Sequence, residues 1–139
     1  MKIYTSYKLI KMEELNHHGT LFAGRTAEIF VESGFTAASL EVKNPDQIVL
    51  VKIHSMTFNE PIQRGDVIKM ESQIVRLGNT SLTAHITISS SVKNTTPVEG
   101  FITFVNVDES GKKIPHNLVL DETKNSRELE LREIAKNLK

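Results

Sequence analysis

The sequence predicts an α+β fold in which one long helix lies on an antiparallel sheet of about five strands. Three observations carry that prediction. A stretch from Phe22 to Ala37 is striped at helical spacing. Four segments rich in valine, isoleucine and threonine follow it, separated by short turn signals. One of these alternates strictly, Leu82, Ala84, Ile86 and Ile88 against Ser81, Thr83, His85 and Thr87.

Met1 to Met12 mixes tyrosine, isoleucine and threonine in loose alternation and reads as a first strand, and Glu13 to Thr20 is polar enough for a loop. The helix comes next. Counted at about 100° per residue, Phe22, Thr26, Ile29, Phe30, Ser33 and Ala37 share an arc of about 100°, the width of a stripe facing a core. The turn signal Lys43-Asn44-Pro45-Asp46 leads to a strand over Gln47 to Phe58, which Pro61 and Gly65-Asp66 end before a second over Val67 to Arg76. Leu77-Gly78-Asn79-Thr80 has hairpin chemistry and opens the alternating strand, predicted to be half-buried. Thr95-Thr96-Pro97 turns into a last strand, Val98 to Asp108, closed by Glu109-Ser110-Gly111-Lys112. Asp121 to Lys139 is charged, and its thin stripe of Leu131, Ile134, Ala135 and Leu138 predicts a peripheral helix.

At 139 residues the chain reads as one domain over 1–139, of a size that buries roughly two thirds of its unfolded surface. Cysteine is absent, which excludes disulfides, thiolate metal sites and a cysteine nucleophile. Seventeen basic and seventeen acidic side chains cancel, so no long-range field draws in nucleic acid or an anionic membrane. The start, MKIYTSYKLIKMEEL, lacks a signal-peptide pattern, and no segment approaches the roughly 20 apolar residues of a membrane span. A cytoplasmic protein is expected. With no glycine-rich phosphate loop and no dinucleotide fingerprint, ATP and NAD are not indicated.

Three separated stretches coincide with one family: NHHGTLFAG (Asn16 to Gly24), IHSMTFNEPIQRGDV (Ile53 to Val67) and FITFVNVDESGKKIP (Phe101 to Pro115). Together they resemble the hotdog-fold acyl-CoA thioesterases, in the group of the broad acyl-CoA hydrolases of bacteria and of animal brain. The first matches N-x-x-G-x-x-F-G-G with Ala23 in place of one glycine, the second S-M-x-F-x-x-P-x-x-x-G-D without a gap, the third F-x-F-V-x-V-D-x-x-G with Ile102 in place of its first phenylalanine. The resemblance implies a sheet wrapped around the long helix. It also implies a homodimer whose sheets pair edge to edge, often built up to a hexamer as a trimer of dimers. Acyl-CoA would lie in a tunnel between subunits, coenzyme A being part of substrate and product and no separate cofactor being required.

Thioester hydrolysis needs a pull on the carbonyl oxygen, an oriented water and a proton acceptor. The amides around Ala23, Gly24 and Arg25 stand at the start of the helix, where N–H groups lack partners, and Gly24 has no Cβ to block approach. The alternative is that small residues there only allow tight packing. Asn16 aligns with an asparagine that orients water in the resembled family; its alternative role is to close the loop on its own backbone. The family's catalytic carboxylate would fall at Val31, which accepts no proton. Glu32 beside it lies 100° further round the helix, so either Glu32 turns into the site or the protein works without that carboxylate. Glu28 and Glu32 form a like-charge i,i+4 pair that Arg25 offsets in part.

His17 and His18 lack a His-x-x-x-His spacing and any cysteine partner, so no metal site is expected; His18 remains a candidate substrate contact. His54, His85 and His116 read as structural or surface histidines. The hairpin residues Arg76, Asn79, Thr80 and Ser81 align with a turn near the nucleotide in the resembled family, which implies that they, with Arg25, are candidate contacts to coenzyme A; an ordinary polar hairpin is the alternative. Backbone groups of His54, Ser55 and Met56 are candidates for the pantetheine amides. The expected activity is metal-independent hydrolysis of acyl-CoA, with Asn16, Gly24 and Glu32 at the chemistry. A non-catalytic acyl-CoA-binding protein is the rival, motivated by Val31. A hotdog dehydratase is disfavoured, since Asn44-Pro45 is followed by Asp46 and Gln47 rather than completing D-x-N-P-x-H.

Overall fold

Five runs rich in β-branched residues and punctuated by turn residues pair into one sheet in the computed structural model, which describes residues 1–139. The strands are β1 (Ile3–Leu9), β2 (Ile48–Phe58), β3 (Val67–Leu77), β4 (Ser81–Ser90) and β5 (Thr95–Asn106). The sheet order is β1-β3-β4-β5-β2, and every pairing is antiparallel. Consecutive β2 and β3 are therefore not neighbours, and β2 is an edge strand.

Helix α1 (Ala23–Val42) lies on one face and buries Thr26, Ile29, Phe30, Gly34, Ala37, Ala38 and Ser39. They meet Ile74, Leu82, Ala84, Ile86, Ile88, Ile102 and Phe104, all fully buried on the facing side of the sheet. This is the arrangement of the hotdog fold. Two members of the predicted stripe fall outside it. Phe22 is 56% exposed and Ser33 half-buried, because α1 starts only at Ala23 and the chain enters from an extended segment whose inward residue is Leu21.

The other face of the sheet is also covered in part, which the strict alternation in β4 did not predict. Thr83 and His85, expected to face solvent, are buried. Helix α2 (Ser126–Lys136) packs there, placing Leu131 and Ala135 against Val75 and Phe101. It is shorter than the predicted helix: residues 121–125 form no regular element, Ile134 stays 40% exposed, and Asp121 and Glu128 instead pair with the Met1 ammonium and Arg132. No helix is long and apolar enough to cross a membrane.

Candidate active site

The loop before α1 is organised by Asn16. Its Oδ1 accepts from the amides of His18 at 2.9 Å and Thr20 at 3.2 Å, and its Nδ2 donates to Thr20 Oγ1 at 3.1 Å. The side chain thus does close the loop on its own backbone, and one Nδ2 hydrogen is left over. Hydrogen bonds from Leu21 N to Ile62 O at 2.8 Å and a bridge between Thr20 and Gln63 tie this loop to the connection between β2 and β3.

That anchoring delivers Phe22 in an extended conformation as the residue before α1, and no side chain caps the helix. Thr26 supplies the first paired amide of α1, donating to Phe22 O at 2.9 Å. The amides of Ala23, Gly24 and Arg25 lie before any intrahelical acceptor and stay free at the positive end of the helix.

Gly24 does not leave the open approach expected of it. The Phe22 ring lies there, so close that a Cβ on Gly24 would stand 2.5 Å from Phe22 Cε2. Phe22, assigned by its spacing to the core, instead lies exposed against the start of α1, which the sequence reading missed. Its signal was the position directly before the small pair Ala23-Gly24.

Arg25 is engaged elsewhere than on a substrate. Its Nε donates to Glu14 Oε1 at 3.3 Å, and its Nη1 pairs with Glu28. Burial alone would push the Glu14 carboxyl up. Hydrogen bonds from Lys8, the Lys11 amide and Arg25 outweigh it and hold the group at about 2. With Glu28 neutralised by Arg25, Glu32 is the free carboxylate of the i,i+4 pair.

Glu32 is exposed and borders a cleft of about 490 Å³ along the outward side of α1, together with Gly24, Ala27, Glu28, Val31 and Phe35. Gly24, Val31 and Glu32 thus share one outward face of α1, Glu32 standing eight residues, about 12 Å, along the helix from Gly24. Asn16 is not among the residues lining the cleft. The His17 and His18 rings lie 3.8 Å apart between centroids, tilted by 43°. No group of three or more His, Asp or Glu side chains is gathered that would hold a metal.

On β2, Gly100 of β5 lets the strand bend inward: a Cβ there would lie 2.0 Å from Ser55 O. The bend coincides with a register shift between Ile53 and Ser55. His54 turns to the outer face, its Nε2 2.7 Å from Thr103 Oγ1, and burial, then Lys52 and Arg76, lower its pKa below the ordinary 6.5. Met56 packs against the core. Since β2 has β5 on one side only, backbone groups of this stretch remain free along its other edge.

The hairpin is not brought to the helix start. Asn106 N donates to Thr80 O, and Val107 N donates to Gln47 O, which places Asn79, Thr80 and Ser81 beside the C-terminal end of α1. Val42 at that end lies eighteen residues of helix from Gly24, about 27 Å. His116 occupies the hairpin carbonyls, its amide donating to Asn79 O at 3.3 Å and its Nε2 lying 3.1 Å from Ser81 O. Arg76 donates to Ala135 O at 3.2 Å beneath α2. His85 is a structural histidine, its Nε2 2.8 Å from Glu99, which Arg127 of α2 also reaches at 3.0 Å.

Comparison with known proteins adds the family. The family model of the thioesterase superfamily matches residues 18–95. An uncharacterized acyl-CoA thioester hydrolase of Bacillus subtilis (strain 168), YkhA, is 26% identical over 114 residues, which are 79% of this chain and 65% of that protein. The chain thus spans just under two thirds of that relative's length. An apo hexameric acyl-CoA thioesterase of known structure superposes with a TM-score of 0.83 at 26% identity, covering 96% of this chain and 86% of the other. The acyl-CoA hydrolase of Staphylococcus aureus, solved with butyryl coenzyme A, coenzyme A and coenzyme A disulfide, gives 0.78 at 21% identity, covering 96% and 85%.

Proposed function

The chain belongs to the thioesterase superfamily, and from that membership we propose that residues 1–139 act as one cytoplasmic domain hydrolysing acyl-CoA to a carboxylic acid and coenzyme A. The observation that carries this reading is the uncapped start of α1, which leaves the amides around Gly24 without partners. Free amides of Ala23, Gly24 and Arg25 would donate to the thioester carbonyl oxygen and stabilise the oxyanion as water adds. The remaining Nδ2 hydrogen of Asn16 would hold that water. Glu32, brought across the dimer interface since on one α1 it stands eight residues, about 12 Å, from Gly24, would take its proton and return it to the sulfur as the C–S bond breaks. No metal enters this scheme. Ala27, Val31 and Phe35, running along the groove from Gly24, offer an apolar path for the acyl chain.

The proposed assembly is a homodimer through the free edge of β2, extended to a hexamer as a trimer of dimers. Val49, Val51, Ile53 and Phe58 on that strand are 44 to 49% exposed, more apolar edge than an isolated subunit ordinarily leaves unpaired. Pairing there would set α1 of one copy beside that of its partner and wall the groove. It would also offer a route by which the remote hairpin residues Arg76, Asn79, Thr80 and Ser81 serve a coenzyme A whose thioester lies in the neighbouring subunit. His18, exposed on the loop, stays a candidate contact.

Release of free thiol from a panel of acyl-CoAs tests the reading: turnover at some acyl length is expected, and inertness at every length overturns it. The second reading, an acyl-CoA-binding protein without turnover, is favoured by a single observation, the half-buried apolar Val31 in the groove. Stoichiometric ligand retention by calorimetry with no thiol released would select it.

A further inference from the structure

Phe22 is a large aromatic side chain placed in the open, and nothing in the packing of the core requires it. It is 56% exposed, yet its backbone is held from both sides. Its amide donates to Glu14 O at 2.9 Å, and its carbonyl accepts from the Thr26 amide at 2.9 Å and the Thr26 hydroxyl at 3.1 Å. Only the ring is left to move. That ring lies against Gly24, the middle one of the three residues with free amides, with Cε2, Cζ and Cδ2 at 2.5, 3.1 and 3.2 Å from where a Cβ would be. Any residue but glycine at position 24 would push it off.

We propose that the Phe22 ring is a shutter over the first turn of α1, lying across Gly24 when the protein is empty and swinging aside to pack on the bound thioester. The inference rests on the acyl-CoA reading of the groove. Its physical basis is solvent exclusion: amide donors act on a developing oxyanion in proportion to how little water competes for it. A swinging ring admits the thioester carbonyl and then replaces bulk water beside it, leaving room for the attacking molecule alone. In the empty protein the same ring keeps apolar contact over an otherwise bare helix end.

The chain has no tryptophan, so Phe22→Trp places a single emitter on the shutter and Tyr7→Trp, at a residue 65% exposed on β1, serves as the control. Saturation with a non-hydrolysable thioether analogue of butyryl-CoA is expected to shift or quench the emission of the first variant and leave the second unchanged. In turnover, Phe22→Ala is expected to lower kcat about tenfold or more while KM moves less than about threefold, with Phe22→Tyr restoring the rate. Wild-type kcat and KM in Phe22→Ala, or emission of Phe22→Trp unmoved at saturation, overturns the shutter and leaves hydrolysis standing. Moved emission in a protein whose wild type releases no thiol overturns hydrolysis and leaves the shutter standing. If Phe22→Ala does not fold, the emission experiment decides.

Discussion

Glu14 and Arg25 are joined across the Asn16 loop, Arg25 Nε donating to a Glu14 oxygen at 3.3 Å while Lys8 of β1 donates to the same oxygen at 2.8 Å. One largely buried carboxylate thereby fastens the first strand, the loop and the first turn of α1 together. The free amides of the candidate site stand on that junction.

Acid should loosen it. The Glu14 pKa is depressed from the ordinary 4.5 to about 2 in the folded protein, so the unfolded chain takes up the proton first. Its stabilisation is complete above about pH 4.5 and is lost as pH falls toward 2. The stability difference between wild type and Glu14→Gln, followed by urea unfolding, is expected to be largest near neutrality and to shrink across that window. A difference independent of pH would contradict it.

His85 supplies a second window. Burial lowers its pKa below 6.5, with Glu99 opposing in part. The folded state therefore binds fewer protons than the unfolded one, and stability rises with pH up to about 6.5 and then levels. Titration of the His85 ring by NMR should give a midpoint below 6.5.

Asn16 separates loop closure from chemistry. Asn16→Asp keeps the oxygens that accept from His18 and Thr20 and loses the spare N–H, so it should fold with a stability change of less than about 1 kcal/mol and lose kcat by about 100-fold. Asn16→Ala should lose both. Glu32 makes no ion pair, so Glu32→Gln is expected to cost less than about 0.5 kcal/mol and to reduce kcat by about 100-fold or more. Full activity in Glu32→Gln would remove it from the mechanism.

Gly100→Ala sets a methyl group against Ser55 O, where 2.0 Å is available. It should cost about 3 kcal/mol by denaturant unfolding, since backbone rather than a flexible side-chain tip must yield. An unchanged midpoint would show the bend of β2 to be dispensable.

The β2 edge is tested by Val51→Lys, a charge on its exposed apolar row. Light scattering should report a lower mass than wild type, and thiol release should fall with it. Wild-type mass would place the subunit contact elsewhere.

Much of this protein was decided by order along the chain. The period of the stretch after Phe22, the alternation in β4 and the punctuation at Lys43-Asn44-Pro45-Asp46 and Leu77-Gly78-Asn79-Thr80 are local properties, readable wherever they occur. They yield the elements, their sequence and the class of fold. Tertiary contact decided what local pattern does not contain. Leu21 rather than Phe22 turns inward because Ile62, far along the chain, receives its amide. His85 is buried because α2 returns from the far end of the chain to cover it. Arg25 is spent on Glu14, and the hairpin lies a helix length from Gly24, because the direction of α1 across the sheet follows from which segments meet at each end. A sequence states which faces need cover; only the folded chain states what covers them.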